Sequence, residues 1–207
     1  NSLLEPETIN TYEWAIDYRP LPSVRTAANF YYYQIEDLIV TKPDNSGGNT
    51  FQNSENGTQD GYGTELEWSW QINEQLNVSG NYAWQHAIAP ATQHRVAGVP
   101  EHQVYFASAW QFLPQWQFQS QLNWLGGRPQ SDLDIALNKQ KGYDRSLNDY
   151  QTVDFTLRGK KLMGHIDLIA SLRNAFDARY REPTIYSFKE NLPMPGRSFY
   201  LEASISF

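Results

Sequence analysis

Hydrophobic and polar residues alternate along the last ten residues of the chain, SFYLEASISF (198–207). Phe199, Leu201, Ala203 and Ile205 share one parity, and most residues of the other parity are small or polar. A period of two is typical of a β-strand with one apolar face and one polar face. The pattern recurs along the chain and predicts about nine strands. They lie at about 7–18, 25–40, 61–70, 76–88, 101–112, 116–125, 150–159, 165–174 and 198–207.

The connections between the predicted strands alternate in length. The short ones are 19–23, 72–75, 113–115 and 160–164, and the long polar ones are 41–60, 89–100, 128–149 and 176–197. Successive connections of an antiparallel sheet lie at opposite ends, so one end carries only tight turns and the other only long loops. Outer-membrane barrels sort their connections in this way, with short periplasmic turns and longer extracellular loops. The sequence therefore predicts an all-β, antiparallel transmembrane β-barrel whose long loops are extracellular and whose C-terminus is periplasmic.

The composition fits a barrel better than the alternatives. Aromatic residues make up 14% of the 207 residues, with seven Trp and thirteen Tyr, and barrels carry girdles of rings where lipid meets water. No apolar stretch is long enough to predict a spanning helix. Cys is absent, which excludes disulfides and thiolate metal sites. The net charge of −7 argues against a nucleic-acid partner, because no basic stripe is available to neutralise phosphates.

A soluble up-and-down or sandwich domain with tryptophans in its core remains the alternative fold. The polar residues of the 116–125 segment argue against it. Gln117, Gln119 and Gln121 lie on one face of that predicted strand, and such a row suits a wide, water-filled interior better than a packed core.

The sequence contains no pattern that predicts catalysis. The histidines His86, His94, His102 and His165 do not have the spacing of a metal site. No nucleophile elbow, phosphate loop or dinucleotide fingerprint is present. We therefore predict no catalytic residue, no metal site and no cofactor, and we interpret the histidines as exposed structural residues.

Several segments resemble motifs of the TonB-dependent outer-membrane receptors, in the order in which that family has them. They are LEPETINTYEWAIDYRP (4–20), GYGTELE (61–67), VPEH (99–102), NAFDARY (174–180) and PGRSFYLEASISF (195–207). In NAFDARY, Ala175 stands where leucine is usual. The resemblance spans nearly the whole chain and ends on a closing strand with a terminal Phe.

The resemblance implies a barrel of about 22 strands with a globular plug inside. Such receptors import scarce nutrients, for example iron-siderophore complexes or similar metal complexes, with energy from an inner-membrane partner. Residues 1–207 would then be the C-terminal part of the barrel, without the plug domain and without the segment that contacts the TonB-type partner. The expected partners are outer-membrane lipid, the plug of the same full-length chain, the TonB-type protein and the barrel-assembly machinery.

Strand alternation and loop length suggest roles for particular residues, and the resemblance suggests one for Phe207. The charged residues expected to face the lumen are Glu65, Glu67, Asp154, Arg158, Arg173 and Glu202. They would form either a substrate path or cross-strand ion pairs and plug contacts. The ligand-facing loop candidates are Asp132, Asp134, Tyr143, Asp144 and Arg145, although such clusters are also typical of solvated loop surface. Phe207 would be the signal that the assembly machinery recognises, or else a ring of the aromatic girdle.

The predicted function is therefore an energised outer-membrane receptor-transporter, not an enzyme. A passive porin or an outer-membrane barrel enzyme is the alternative within the same architecture. A porin would need an open lumen, and an enzyme would need a catalytic cluster near the outer rim. A soluble all-β binding module is the remaining alternative.

Overall fold

A computed structural model describes residues 3–43, 48–131, 146–183 and 191–206. These residues form β-strands, turns and loops. No helix among them is long and apolar enough to cross a membrane. The strands are β1 (Thr8–Leu21), β2 (Val24–Glu36), β3 (Ile39–Pro43), β4 (Asn49–Asn53), β5 (Gln59–Gln71), β6 (Leu76–Ala89), β7 (His94–Arg95), β8 (His102–Leu113), β9 (Trp116–Gly126), β10 (Arg128–Pro129), β11 (Ser146–Leu147), β12 (Tyr150–Leu162), β13 (Ile166–Arg173), β14 (Arg181–Glu182), β15 (Leu192–Pro193) and β16 (Ser198–Ile205).

Nine long strands form one antiparallel sheet, which we call the wall. Their order is β1-β2-β5-β6-β8-β9-β12-β13-β16, so each long strand pairs with the next long strand in the chain. β7 pairs with β6 beside this path. The wall strands are 8 to 14 residues long, around the ~10 residues with which a tilted strand crosses a bilayer. The nine strands predicted from the alternation are confirmed.

The two ends of the wall differ in their connections. The short-turn end has the connections 22–23, 72–75, 114–115 and 163–165, and the long-loop end has the first to fourth long loops, 37–58, 90–101, 127–149 and 174–197. The first, third and fourth long loops each contain a pair of short strands, β3 with β4, β10 with β11 and β14 with β15. The second long loop contains β7, which pairs with β6. The predicted separation of tight turns from long loops is therefore present in the fold.

The strand predicted at 25–40 is too long. β2 ends at Glu36, and Asp37 has a φ of +57°, a conformation that Asp tolerates better than most residues. The side-chain amide of Asn53 donates to the carbonyl oxygen of Asp37 at 2.6 Å and holds the break in place. The hydrophobic alternation continues beyond this break into β3, which pairs with β4 instead of extending the wall.

Hydrophobic side chains lie on the surface of the wall and not in a core. Among the described residues, no hydrophobic residue is buried. Trp14 is 61% exposed and Leu201 is 65% exposed, and β1 and β16 are exposed along their whole lengths. A soluble domain of this size would bury a contiguous apolar core. The sandwich alternative therefore has no core among the described residues to support it.

Two glycines of β5 allow close approach of neighbouring side chains. A Cβ atom on Gly61 would lie 2.2 to 2.5 Å from ring atoms of Tyr33. A Cβ atom on Gly63 would lie 2.4 Å from the carbonyl oxygen of Trp84 and 2.5 Å from the hydroxyl oxygen of Tyr31. Each tyrosine is the direct cross-strand partner of its glycine. The rings lie over bare backbone, which only glycine provides.

Candidate functional site

The pairing register sorts the side chains of the wall onto two faces. Directly opposed residues share a face, and one continuous row runs through Leu201, Ala170, Leu157, Phe118 and Trp110. We call the face that carries this row the apolar face. The adjacent positions form the polar face, and a row on that side runs through Asn123, Tyr105, Asn81, Glu67 and Ala27.

The apolar face is rich in aromatic rings along its whole length. Tyr62, Trp84 and Trp124 lie toward the long-loop end, and Trp70 and Trp110 lie toward the short-turn end. Further rings lie between them, at Trp14, Phe30, Trp68 and Phe106, together with aliphatic side chains such as those of Leu66 and Leu122. An outward-facing surface of aliphatic and aromatic side chains is typical of barrel strands that face lipid.

All six charged residues predicted to share a face do lie on the polar face. Glu65 and Glu67 are on β5, Asp154 and Arg158 on β12, Arg173 on β13 and Glu202 on β16. They do not meet at one point, because they are spread across the width of the wall.

Two of these residues have contacts that hold the wall and its loops together. Glu67 lies 3.6 Å from Arg25, which also pairs with Asp17 at 2.6 Å. Asp154 accepts the backbone N–H of Asn174 at 2.7 Å, where the fourth long loop begins. The Arg25 and Asp17 side chains are about half exposed, and such pairs contribute little stability. The sequence left two roles open for these charged residues, a substrate path or structural ion pairs. The contacts of Glu67 and Asp154 are of the structural kind.

Arg158 and Glu202 lie together near the short-turn end of the polar face. They line a hollow of about 220 Å³ with Lys160 and Asp167. Within the described part of the chain, the Nε atom of Arg158 is buried and has no hydrogen-bond partner. The hollow gathers two positive and two negative side chains, so it is polar without a strong charge of either sign.

A cavity lies at the long-loop end, between the described bases of the third and fourth long loops. Its volume is about 720 Å³. Residues from both loops line it, among them Arg128, Asp149, Asp177, Arg179 and Tyr180. Arg179 is exposed and forms no hydrogen bond or ion pair with another described residue. Asp149, in contrast, accepts the backbone N–H of Gly127 at 3.0 Å. A large pocket with a few convergent polar groups is the usual form of a ligand site.

Arg128 forms one wall of this cavity and is only 3% exposed. Its Nη2 atom donates to the Glu182 carboxylate at 2.6 Å and to the carbonyl oxygen of Arg181 at 2.5 Å, both in the fourth loop. Its Nη1 atom donates to the carbonyl oxygen of Asn148 in the third loop at 3.0 Å. The guanidinium also lies 4.6 Å from the centre of the Tyr150 ring, a cation–π geometry.

Two tyrosines complete the surroundings of this ion pair. The rings of Tyr150 and Tyr180 stack with centroids 3.8 Å apart, and the Tyr150 hydroxyl donates to Glu182 at 2.9 Å. Burial raises the pKa of the Tyr180 hydroxyl above its usual value, and the nearby Glu182 carboxylate raises it further. Tyr180 therefore stays neutral at physiological pH and contributes a ring face to the cavity, not a charge.

The NAFDARY segment forms a closed turn at the base of the fourth loop. The Asn174 side chain accepts the backbone N–H of Ala178 at 2.8 Å and donates to its carbonyl oxygen at 2.9 Å. Asp177 accepts the backbone N–H of Arg197 at 2.9 Å, just before β16. Both Asn174 and Asp177 have positive φ angles. The motif therefore shapes the loop and fixes its return to the wall.

The histidines have structural surroundings. His86 lies 3.7 Å from the Glu101 carboxylate, and Glu101 also pairs with Arg95. The Nδ1 atom of His102 is 2.8 Å from the Tyr82 hydroxyl oxygen. His86 and His102 are half-buried, so the prediction that they are exposed is wrong for these two, whereas His94 and His165 are exposed.

Some predicted site residues lie outside the described residues, and some described residues were not predicted. Asp132, Asp134, Tyr143, Asp144 and Arg145 fall within 132–145, and Phe207 is also outside the described ranges. The pair of Arg128 and Glu182 was missed. A single Arg after a strand has no sequence pattern that predicts burial, and its partner lies 54 positions away.

Comparison with known proteins identifies the family. The sequence matches the family model described as "TonB dependent receptor-like, beta-barrel" over residues 1–175. The chain belongs to this TonB-dependent receptor family. Its predicted membership is confirmed, and TonB-dependent receptor barrels are outer-membrane proteins. No curated protein matches the sequence.

Solved structures of TonB-dependent receptors share this fold. The ferric-catecholate import receptor Fiu from E. coli K12 has a TM-score of 0.77 at 20% identity, covering 100% of this chain and 29% of Fiu. The ferric yersiniabactin uptake receptor FyuA from Yersinia pestis has a TM-score of 0.76 at 18% identity, covering 97% of this chain and 30% of FyuA. The copper transporter OprC has a TM-score of 0.74 at 16% identity, covering 100% of this chain and 32% of OprC. The chain therefore spans less than a third of these proteins, and the likeness shows the shared barrel fold.

Proposed function

We propose that the chain is the C-terminal part of the barrel of an outer-membrane receptor that imports a scarce nutrient with energy from the TonB system. The expected cargo is an iron-siderophore or a similar metal complex. Family membership supports the transport role. Fiu and FyuA are described as receptors for iron chelates, and OprC as a copper transporter, so a metal complex is the common chemistry.

One observation carries the membrane part of this proposal. The nine-strand wall has an apolar face of aliphatic and aromatic side chains, and no hydrophobic residue among those described is buried. Such a face is stable only against lipid, because in water it would be a large exposed apolar surface. The polar face, with Glu65, Glu67, Asp154, Arg158, Arg173 and Glu202, would then line the lumen and contact a plug.

The exposed edges of the wall support a larger barrel. Within the described part of the chain, β1 and β16 each have one edge that pairs with no other strand, and both are exposed throughout. An unpaired edge inside a bilayer leaves backbone N–H and C=O groups without partners, which the hydrocarbon does not tolerate. Further strands of the full-length receptor, in a barrel of about 22, would satisfy both edges. The plug, the TonB-type protein and the assembly machinery would be its other partners.

The cargo would first meet the long-loop end. The cavity between the third and fourth long loops opens there, and Arg179 offers an exposed guanidinium at its lining. The loop residues Asp132, Asp134, Tyr143, Asp144 and Arg145 belong to the same third loop in the sequence. We therefore retain them as ligand-facing candidates.

Uptake experiments separate the energised receptor from a passive porin. Cells that carry the full-length receptor are expected to accumulate a labelled iron chelate, and a protonophore should abolish this uptake. Energy coupling through the TonB system requires the inner-membrane proton gradient, whereas diffusion through a porin does not. Uptake that continues in the presence of the protonophore would favour the porin alternative.

Single cysteines test the proposed orientation. Asn56→Cys and Thr92→Cys, in the first and second long loops, are expected to react with an impermeant thiol reagent on intact cells. Glu74→Cys, in a short turn, should react only after the outer membrane is permeabilised. All three native residues are exposed, so access to the reagent depends on the side of the membrane. If Glu74→Cys alone were labelled on intact cells, the proposed orientation would be wrong and the short turns would be extracellular.

Phe207 is proposed as the assembly signal, because it completes the alternating pattern of the final strand. An unfolded barrel strand is too polar to be recognised as a membrane helix, and an aromatic anchor on an alternating strand can be bound by strand addition. Deleting Phe207 from the full-length receptor is expected to lower the amount in the outer membrane several-fold. Normal assembly with a slightly lower melting temperature would instead assign Phe207 to the aromatic girdle.

A further inference from the structure

The bases of the third and fourth long loops are joined by a network centred on Arg128. The guanidinium binds Glu182 and the carbonyl oxygen of Arg181 on one loop and the carbonyl oxygen of Asn148 on the other. Tyr150, at the first residue of β12, donates to the same Glu182 carboxylate at 2.9 Å. Glu182 therefore receives hydrogen bonds from one residue of the third loop and from the first residue of β12.

A second connection lies beside the first. Asn191 is 0% exposed, and its side-chain amide donates to the Gln130 side chain at 2.8 Å. The carbonyl oxygen of Asn191 accepts a bond from Arg181 at 2.9 Å, which ties the two ends of the β14–β15 hairpin. The fourth loop is therefore braced internally and bound to the third loop at two neighbouring points.

The position of the ion pair makes the connection hard to break. Separating the loops would leave the buried guanidinium of Arg128 without its carboxylate, and an unpaired buried charge is strongly unfavourable. The first long loop provides a contrast. There Lys42 and Glu55 lie 3.6 Å apart, and Glu55 is 86% exposed, so water can replace either partner at little cost.

The other long loops are attached differently. The second loop is bound to the third by backbone hydrogen bonds, from Gly98 to Pro129 at 3.1 Å and from Glu101 to Gly127 at 3.0 Å. The first loop is fastened to the start of the chain, where Asn53 and Glu5 exchange two bonds of 2.8 Å. Side-chain ionic contact between two long loops is therefore a feature of the third and fourth among the described residues.

We propose that Arg128 is a positioning residue whose pairing with Glu182 joins the described bases of the third and fourth long loops (127–131 with 146–149, and 174–183 with 191–197) into one clasp. Residues of both bases line the cavity of about 720 Å³, and the two bases open locally as one unit. This inference goes beyond the transport proposal, since the clasp is a property of the loops whatever the cargo is.

Hydrogen exchange of the full-length receptor in detergent micelles tests the clasp. Glu182→Gln removes the charge in the fourth loop and keeps the shape of the side chain. We expect backbone amides at 127, 128, 130 and 146–149, in the third loop, to exchange about tenfold faster or more, because a charge-assisted bond to a buried group is lost and local opening becomes easier. Arg128→Lys should produce the reciprocal change at 181–182 and 191–192.

The double variant and a matched control complete the test. Arg128→Lys combined with Glu182→Gln is expected to exchange no faster than the stronger single variant, because both substitutions break the same contact. Glu55→Gln, the same chemical change in the exposed pair of the first loop, should leave the third and fourth loops unchanged. The melting temperature of the barrel should be the same in all variants, which separates positioning of the loops from general stability.

The proposal is overturned by either of two results. Glu182→Gln could accelerate exchange only within the fourth loop, which would show that the loops open separately. Alternatively, the effects of Arg128→Lys and Glu182→Gln could add fully, which would show that the two residues stabilise their own loops independently. Tyr150→Phe provides a further check, because it removes one bond to Glu182 while it keeps the ring stack, and it should accelerate exchange in both loops to a smaller extent.

Discussion

Leu122→Lys is expected to prevent stable assembly of the full-length barrel, whereas Gln121→Lys, one residue earlier, is expected to be tolerated. Leu122 lies in the middle of β9 on the apolar face, directly opposite Phe106 and Val153. A lysine at the centre of the lipid-facing surface of a barrel costs about 2–4 kcal/mol. That loss is a large part of the stability of most proteins, so little folded receptor should reach the outer membrane.

The Gln121→Lys variant is the matched control, because it places the same side chain on the same strand but on the polar face. Gln121 lies opposite Ala107 and Asp154, so a lysine there would have water and a carboxylate nearby. The measurement is the fraction of full-length receptor that is folded in outer-membrane preparations. If Gln121→Lys prevented assembly and Leu122→Lys were tolerated, the assignment of the lipid-facing and lumen-facing sides would have to be reversed. Equal tolerance of both lysines would show that neither face meets lipid.

The fold was predictable because its main determinant is local. A period of two along nine segments specifies nine strands and their two faces, and a meander pairs neighbours in the chain without any long-range rearrangement. Connection lengths then separate the two ends of the wall. The failure at 25–40 has a local cause as well. Apolar residues resume directly after Asp37, at Leu38, Ile39 and Val40, and hydrophobicity alone does not show that a left-handed residue ends the strand at that point.

The site was less predictable because its contacts are not local. Strand parity predicts a common face for Glu65 and Glu202, and the register places both on the polar face of the wall. The partners of Arg128 come from two separate segments, 148–150 and 181–182, and the loop that contains Glu182 must fold back before they meet. Nothing in the residues around Arg128 distinguishes a buried, paired arginine from the many arginines that are exposed on loops.

The histidines show the same limit on a smaller scale. Sequence spacing treated them as separate residues, and it could not show which of them would be half-buried. His102 lies opposite Trp84 and Gly126 on the neighbouring strands and contacts the Tyr82 hydroxyl. Its environment depends on register between strands, which a single sequence indicates only through the parity of each strand.

Gly63→Ala is expected to reduce the amount of assembled full-length receptor strongly, and more than Gly61→Ala does. A Cβ atom at Gly63 would lie 2.4 Å from the carbonyl oxygen of Trp84, which belongs to the backbone of β6. No side-chain rotation can relieve that contact, so β5 and β6 would have to separate locally. Overpacking of this kind typically costs about 1–3 kcal/mol, and here it would also disrupt the ladder between the two strands.

The comparison with Gly61 makes this expectation specific, because the atoms nearest to a Cβ at Gly61 all belong to the Tyr33 ring. A ring can swing away, so removing it should rescue the variant: Gly61→Ala with Tyr33→Ser should assemble better than Gly61→Ala alone. Gly63→Ala with Tyr31→Ser should not recover, since the carbonyl oxygen of Trp84 remains. Folded and unfolded receptor can be compared on gels before and after heating. Recovery of Gly63→Ala by Tyr31→Ser would show that the tyrosine ring, and not the backbone of β6, sets the requirement for glycine at this position.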